Sequence, residues 1–362
     1  LLHLLLLQKK VMSDFNTLTI ANIIRETAKA VSITFEIPAN LKEAYSFISG
    51  QYITIKTQVN EKEIRRAYSI CSTPKSNQLT VAVKEIKDGT FSVIANNELK
   101  VGDQLDVHTP EGNFLLHQNS ELSNTYCAFA AGSGITPILS MIKSVLESTP
   151  NGKFVLVYGN KTPEETIFLK ELLSLKDQYP DRFFLELFYS RTDQEGAHFG
   201  RIEKPTINYI SKNKFKDVSF DAFYLCGPEE MITTVTEVLI ENNIQKEKIH
   251  FELFTSSSDS SNETVSNLEG KSTITVVVDD EEFNFLMDQK KTILDATLEE
   301  DIDAPYSCQG GVCSSCICRI KNGTAVMEKN SILTDSEIAE GLVLACQAHP
   351  TSSVVTVDFD DV

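Results

Sequence analysis

Cys308, Cys313 and Cys316 stand in the spacing C-x4-C-x2-C, and 29 residues separate Cys316 from Cys346. Thiolates are soft anionic ligands, and this spacing holds the two irons of a plant-type [2Fe–2S] cluster. Structural zinc is the competing reading. It favours paired C-x2-C knuckles, and here there is one such pair. Gly310 and Gly311 within the loop permit positive φ, which lets backbone amides point at the sulfurs. Cys318 lies two residues past a ligand on what reads as a strand and is not expected to be a ligand. Five of the chain's eight cysteines fall in this C-terminal part, a clustering that points to metal or redox chemistry rather than disulfides.

Three further segments carry chemistry. Arg66-Ala67-Tyr68-Ser69 follows a strand, and Ala82-Val83-Lys84 precedes the turn Gly89-Thr90-Phe91-Ser92, which reads as the entry to a helix. A helix N-terminus is a natural diphosphate site. Gly132-Ser133-Gly134-Ile135-Thr136-Pro137 follows an apolar strand and opens a helix, with Pro137 where a full G-x-G-x-x-G would have its last glycine. Cys226-Gly227-Pro228-Glu229-Glu230-Met231 repeats the arrangement of apolar strand, turn and helix.

Positioning these groups takes three units. Short β-branched or alternating runs at 17–20, 31–37, 52–55 and 79–83, punctuated by glycines, predict an antiparallel β-barrel over residues 13–115. Over residues 120–254, strands at 126–130, 154–158, 183–189 and 222–225 alternate with helices at 138–146, 166–175 and 231–240. That alternation predicts an α/β domain with a parallel sheet. Residues 255–270 are polar and aperiodic and read as a linker. Residues 271–362 then show a strand at 273–278, a short helix at 293–300 and a closing strand at 354–359.

In this order the pieces resemble the ferredoxin–NADP reductase superfamily with a C-terminal ferredoxin. In detail they resemble the family of phenylacetyl-CoA epoxidase reductases. Tyr158-Gly159-Asn160, His250-Phe251-Glu252-Leu253-Phe254, Cys346-Gln347-Ala348-His349-Pro350 and the ending at 357–360 also carry the likeness, which spans residues 13–361. The resemblance implies a multidomain fold: a flavin barrel, a nicotinamide domain and an α+β (β-grasp) ferredoxin. It implies that Arg66 binds the FAD diphosphate, Tyr68 packs on the isoalloxazine, and Ser69 lies near flavin N5. Ala67, Ala82, Val83, Lys84, Gly89, Thr90 and Ser92 would complete the FAD site, with Phe254 near the ring. Gly132, Ser133, Gly134, Thr136, Pro137, Gly227, Pro228 and Met231 would bind NAD(P)H, and Cys226 would sit beside the nicotinamide. Ser69 and Cys226 are thus expected to position the hydride path. Ser190-Arg191 resembles a 2′-phosphate site, which favours NADP over NAD. The implied function is an electron-transfer reductase passing electrons singly to an oxygenase, a multisubunit diiron enzyme in this family. A reductase of another ring- or steroid-hydroxylating oxygenase, or a non-catalytic redox sensor, would share parts of the pattern.

A net charge of −18 argues against nucleic acid, whose binders carry basic patches. The segment from Lys271 onward holds 17 acidic and six basic residues, which suits a basic partner surface. Residues 1–7 are nearly all leucine, too short to span a bilayer and lacking the flanks of a signal peptide. Residues 1–11 are expected to be an upstream extension, with no membrane association and a cytoplasmic location.

Overall fold

The computed structural model describes residues 15–59, 62–117, 124–254 and 268–362. The leucine-rich start and residues 255–267 of the expected linker lie outside them.

The first unit holds β1 (Phe15–Thr27), β2 (Ala30–Glu36), β3 (Tyr52–Val59), β4 (Lys62–Ser69), β5 (Leu79–Lys84) and β6 (Gln104–His108), with helix α1 (Phe91–Asn97). Its antiparallel order is β4-β3-β6-β1-β2-β5. The barrel closes where β4 runs out. An isolated bridge joins Ile70 to Val81, and the Cys71 N–H donates to the Thr80 carbonyl at 2.8 Å. Alternating residues such as Ile53, Ile55, Val81 and Val83 fill the interior.

The second unit holds β7 (Thr125–Ala131), β8 (Lys153–Asn160), β9 (Phe183–Tyr189), β10 (His198–Phe199), β11 (Ala222–Cys226) and β12 (Ile249–Glu252). All are parallel, in the order β10-β9-β8-β7-β11-β12. Helices α2 (Ile135–Ser148), α3 (Leu169–Gln178), α4 (Lys204–Asn208) and α5 (Glu229–Glu241) accompany them. The continuous apolar runs of β7, β8 and β11 follow from burial on both faces. α3 starts at Leu169 rather than 166, because Phe168 takes a left-handed φ of +61° that no helix continues through. Barrel and sheet share a core in which Cys71 and Ala82 meet α2. The buried Ser49 hydroxyl is bonded to Ser144 Oγ at 2.7 Å and to Ser140 Oγ at 2.9 Å.

The third unit is a mixed sheet in the order β14-β13-β19-β15-β17, formed by β13 (Lys271–Val278), β14 (Glu281–Asp288), β15 (Ile317–Asn322), β17 (Leu342–Leu344) and β19 (Val354–Asp358). β16 (Ala325–Met327) pairs with β18 (Ala348–Pro350). Helix α6 (Ile293–Glu299) packs its Ile293, Leu294 and Ala296 into the core, and α7 (Asp335–Ala339) carries a capping box from Thr334 and Glu337. Among the described residues no helix is long and apolar enough to cross a membrane.

Candidate functional site

The cysteine loop runs between the end of α6 and β15. The Cys308 thiol lies near those of Cys313 and Cys346, and the Cys346 thiol also near that of Cys316, so the four thiols converge pairwise. Interaction with Cys313 and Cys346 holds the Cys308 thiol well below the ordinary range, and those two thiols are themselves pushed up. The Gly310 N–H points at Cys308 Sγ (3.3 Å) and the Cys308 N–H at Cys313 Sγ (3.5 Å). Among the described residues no three His, Cys, Asp or Glu side chains close on a single ion. Pairwise meeting fits a two-iron cluster, which spreads its ligands over two metals. The loop's positive φ values fall on Gln309 (+54°) and Gly311 (+71°), not on Gly310, which serves instead as an amide donor to sulfur. Cys318 is fully buried in the core of the module, paired across the sheet with Val343.

β4 ends on Arg66, Ala67, Tyr68 and Ser69. The Tyr68 ring packs on Phe91 of α1 at 5.6 Å. Arg66 donates to its neighbour's carbonyl and forms no ion pair among the described residues. Half-buried Lys84 lies 3.6 Å from where a Cβ on Gly132 would stand, and burial lowers its pKa, with Lys161 adding to the effect. Arg66 and Lys84, neither in an ion pair among the described residues, fit a bound diphosphate, and the Tyr68 ring fits a flavin. α1 has only seven residues and its N-cap, Thr90, makes no side-chain cap bond. Ser92 instead accepts the Ile86 N–H at 3.2 Å, and a Cβ on Gly89 would stand 2.4 Å from its hydroxyl oxygen. The turn is therefore held by Ser92 and needs Gly89 for space.

The two turns of the nicotinamide motif touch. A Cβ on Gly134 would lie 2.1 Å from the Cys226 carbonyl oxygen, and Gly227 packs against Ala131. The Tyr158 hydroxyl donates to the Gly132 carbonyl (2.8 Å), and Thr136 Oγ1 donates to the Ser133 carbonyl (3.1 Å). Pro137 is buried within α2, and Met231 closes on Gly227 from the first turn of α5. At the C-terminal end of β8, Asn160 Nδ2 is buried beside the Tyr158 hydroxyl with no hydrogen bond of good geometry among the described residues. A weakly satisfied donor at the carboxyl edge of a parallel sheet fits a bound nucleotide. Ser190 and Arg191 extend β9 by donating their N–H groups to the carbonyls of Asn160 and Lys161, each at 3.0 Å. The half-buried Phe254 packs against the shared core of barrel and sheet.

Glu252 carries no role in the sequence pattern beyond the family likeness, yet it joins the two motifs. Ser69 Oγ donates to Glu252 Oε2 at 3.1 Å, and Cys226 is its register partner across β11 and β12. Burial pushes the Glu252 carboxyl up to about 8, opposed by the Ser69 hydrogen bond, and burial also raises the Cys226 thiol, with Glu252 adding to it. Sequence offers little signal here, because Ser69 and Glu252 are 183 residues apart. The folded chain binds this proton more tightly than the unfolded chain, so the stabilisation is complete below the unfolded carboxyl pKa. It is lost as pH rises through about 8. Glu252→Gln is expected to flatten this loss, worth on the order of 1–3 kcal/mol between pH 5 and 9. Thermal melts across that range check it, and parallel pH profiles for variant and wild type would sink it.

The cysteine module sits directly on the barrel strands that lead into the Arg66–Ser69 segment. Buried Arg65 donates to Asp303 Oδ1 (2.6 Å) and Glu63 Oε1 (2.8 Å) and stacks on Tyr306 at 4.4 Å. Thr54 Oγ1 donates to Ser307 Oγ at 2.9 Å, next to Cys308. The Tyr52 hydroxyl meets Ser315 Oγ at 3.0 Å, and Ser315 donates to Glu111 Oε1 at 2.9 Å. Val312 at the loop tip packs into the core of the sheet domain.

Comparison with known proteins accounts for all three units. Family models match an oxidoreductase FAD-binding domain at residues 18–115, an oxidoreductase NAD-binding domain at 129–237 and a 2Fe-2S iron-sulfur cluster binding domain at 276–351. The chain is 37% identical over 352 residues to one of the subunits of 1,2-phenylacetyl-CoA epoxidase of Escherichia coli (strain K12), covering 96% of this chain and 99% of that protein. It is 32% identical to the ferredoxin reductase component of 3-ketosteroid-9-alpha-monooxygenase of Rhodococcus rhodochrous, covering 94% and 96%. Phthalate dioxygenase reductase superposes with a TM-score of 0.62 at 23% identity, over 95% of this chain and 98% of that one, a likeness of fold. With antiparallel FAD domain, parallel NAD domain and [2Fe–2S] domain in one order over nearly its whole length, the chain belongs to the family of oxygenase reductase components that includes this phenylacetyl-CoA epoxidase protein.

Proposed function

We propose that this chain is the reductase of an oxygenase that acts on phenylacetyl-CoA, taking electrons pairwise from NADPH and delivering them singly to a multisubunit diiron partner in the cytoplasm. The observation that carries the reductase reading is the docking of the four-thiol loop on the strands that end in Arg66–Ser69, which brings the donor and acceptor sites together. The choice of oxygenase rests on the 37% identity to the epoxidase protein. Bound FAD would accept hydride and release single electrons, and a [2Fe–2S] cluster held by Cys308, Cys313, Cys316 and Cys346 would carry them. The working units are 13–115 for FAD, 120–254 for NAD(P)H and 271–362 for the cluster, with 255–270 as the linker.

Each residue has a physical task. Arg66 supplies paired charged hydrogen bonds to the FAD diphosphate, with the Gly89–Ser92 turn beside it. Tyr68 offers its ring face to the flavin, and Ala67, Ala82, Val83, Lys84 and Phe254 line its surroundings. Gly132, Ser133, Gly134, Thr136 and Pro137 form one wall of the nicotinamide cleft. Cys226, Gly227, Pro228 and Met231 form the other. Ser69, oriented by Glu252, presents a hydroxyl where hydride passes and Cys226 fixes the cleft width.

Donor choice falls to Ser190 and Arg191. Arg191 is exposed and forms no ion pair among the described residues, so its guanidinium is available to a 2′-phosphate. One such pair contributes about 1.5–3 kcal/mol, roughly a ten- to hundredfold preference for NADPH. Steady-state reduction of cytochrome c with each donor tests both readings. Repeated turnover with NADPH preferred, and the preference lost in Arg191→Ala, is the expected result. Absence of turnover removes the reductase reading. Preference for NADH, or equal weakening of both donors, removes the NADPH assignment.

A further inference from the structure

We propose that docking of the cysteine module on the barrel lowers the reduction potential of its cluster through Ser315, and that reduction in turn loosens the docking. This rests on Cys308, Cys313, Cys316 and Cys346 being the cluster ligands. The Ser315 hydroxyl donates to Glu111 Oε1 at 2.9 Å, and the Cys313 thiol donates to Ser315 Oγ at 3.7 Å, so once Cys313 is a metal-bound thiolate the single Ser315 proton has two acceptors in reach. A metal-bound thiolate can only accept. The Tyr52 hydroxyl at 3.0 Å can donate to Ser315 and so leaves the Ser315 proton free to choose. Tyr52 and Glu111 both belong to the barrel and are locked opposite each other by two backbone hydrogen bonds of 2.9 Å. While the module is docked, the nearer and charged acceptor takes the proton. When the module lifts away, Glu111 leaves with the barrel and the Ser315 hydroxyl turns to Cys313.

A hydrogen bond to a ligand sulfur favours the more negative, reduced cluster, as does removal of a nearby carboxylate. Both effects make the docked module harder to reduce than the released one. Linkage then fixes the converse: the factor by which docking disfavours reduction is the factor by which reduction disfavours docking. An electron arriving from the flavin side therefore weakens the contact that delivered it and frees the loop for the next acceptor. Arg65, with its Asp303 and Tyr306 contacts, supplies the docking that this coupling works against.

The test is an EPR-monitored redox titration of the full chain loaded with FAD and cluster. Glu111→Gln keeps an acceptor for Ser315 and reads the charge alone. Glu111→Ala removes both charge and acceptor. The cluster midpoint is expected to move positive in both, and further in Glu111→Ala. The excess is about tenfold in the reduction equilibrium, or 59 mV for one electron. In a Ser315→Ala background that excess should vanish. Arg65→Ala, which loosens docking from a distance, should give a positive shift that is larger with Ser315 than without it. Equal shifts in the two Ser315 backgrounds overturn the relay. Amide exchange at residues 303–315 should be faster in the reduced protein, and unchanged exchange overturns the release. A wild-type chain with no [2Fe–2S] signal at all would instead overturn the ligand assignment, a result the absorbance spectrum separates from the others.

Discussion

Cys346→Ala is expected to strip the chain of its [2Fe–2S] absorbance and reduced EPR signal while leaving FAD in place. Loss of groups that merely orient a metal ligand costs roughly 10–100-fold in affinity, so loss of a ligand itself should exceed about 100-fold. Cys346 stands apart from the C-x4-C-x2-C loop in sequence, yet its thiol bridges toward both Cys308 and Cys316, which makes it the residue that closes the site. Rescue by a neighbouring thiol is blocked. Cys318 is fully buried on the core side of β15, where burial also pushes its thiol well up. NAD(P)H-dependent reduction of ferricyanide, which accepts directly from flavin, should persist, whereas reduction of cytochrome c should fall by about 100-fold or more. Cys318→Ala is the matched control and should keep the full cluster signal. A Cys346→Ala protein with a normal [2Fe–2S] spectrum would show that the fourth ligand lies elsewhere.

The cluster loop was legible because its chemistry is local: three of four cysteines lie within nine residues, and metal geometry constrains their spacing. The strands of the barrel and parallel sheet were legible for a related reason, since their alternation or continuous apolarity follows from facing one core or two. What escaped the sequence is what depends on tertiary approach. Glu252 lies on the short strand β12, whose sequence Ile-His-Phe-Glu gives no hint that Ser69 and Cys226 will meet it. Arg65 and Arg66 look alike in sequence, but period-two alternation sends them to opposite faces. Arg65 is buried against Asp303 and Tyr306 of the cysteine module, while Arg66 lies on the other face of β4 and donates only to the Arg65 carbonyl among the described residues. The left-handed residues in the cluster loop are Gln309 and Gly311, whereas Gly310 contributes its amide to the Cys308 sulfur. Such choices are made by the packed loop as a whole, and residue type alone does not reveal them.

Gly134→Ala is expected to damage the nicotinamide cleft more than any other single methyl added to it. The backbone of Gly134 has an ordinary helical conformation, φ −61°, so the residue is not glycine for conformational reasons. Space is the reason. The added Cβ would stand 2.1 Å from the Cys226 carbonyl oxygen, 2.5 Å from its carbonyl carbon and 2.9 Å from the Gly227 nitrogen. All three are backbone atoms, and the strand they terminate is hydrogen-bonded on both sides, to β7 and to β12. The strand cannot yield alone, so the Gly132–Gly134 turn must lift away from Cys226, and the contact between the two turns opens. Overpacking of this kind costs about 1–3 kcal/mol of stability. Its effect on hydride transfer should be larger, because a displacement of roughly 1 Å at the reacting centre can cost about 100-fold in rate. Flavin content, cluster content and reduction by dithionite should all remain normal, since none of them passes through this cleft. The measurement is kcat/KM for NAD(P)H with ferricyanide as acceptor, together with a thermal melt. A variant that melts like wild type and keeps its kcat/KM would show that the two turns part without consequence, and that Cys226 and Gly134 do not together set the width of the nicotinamide site.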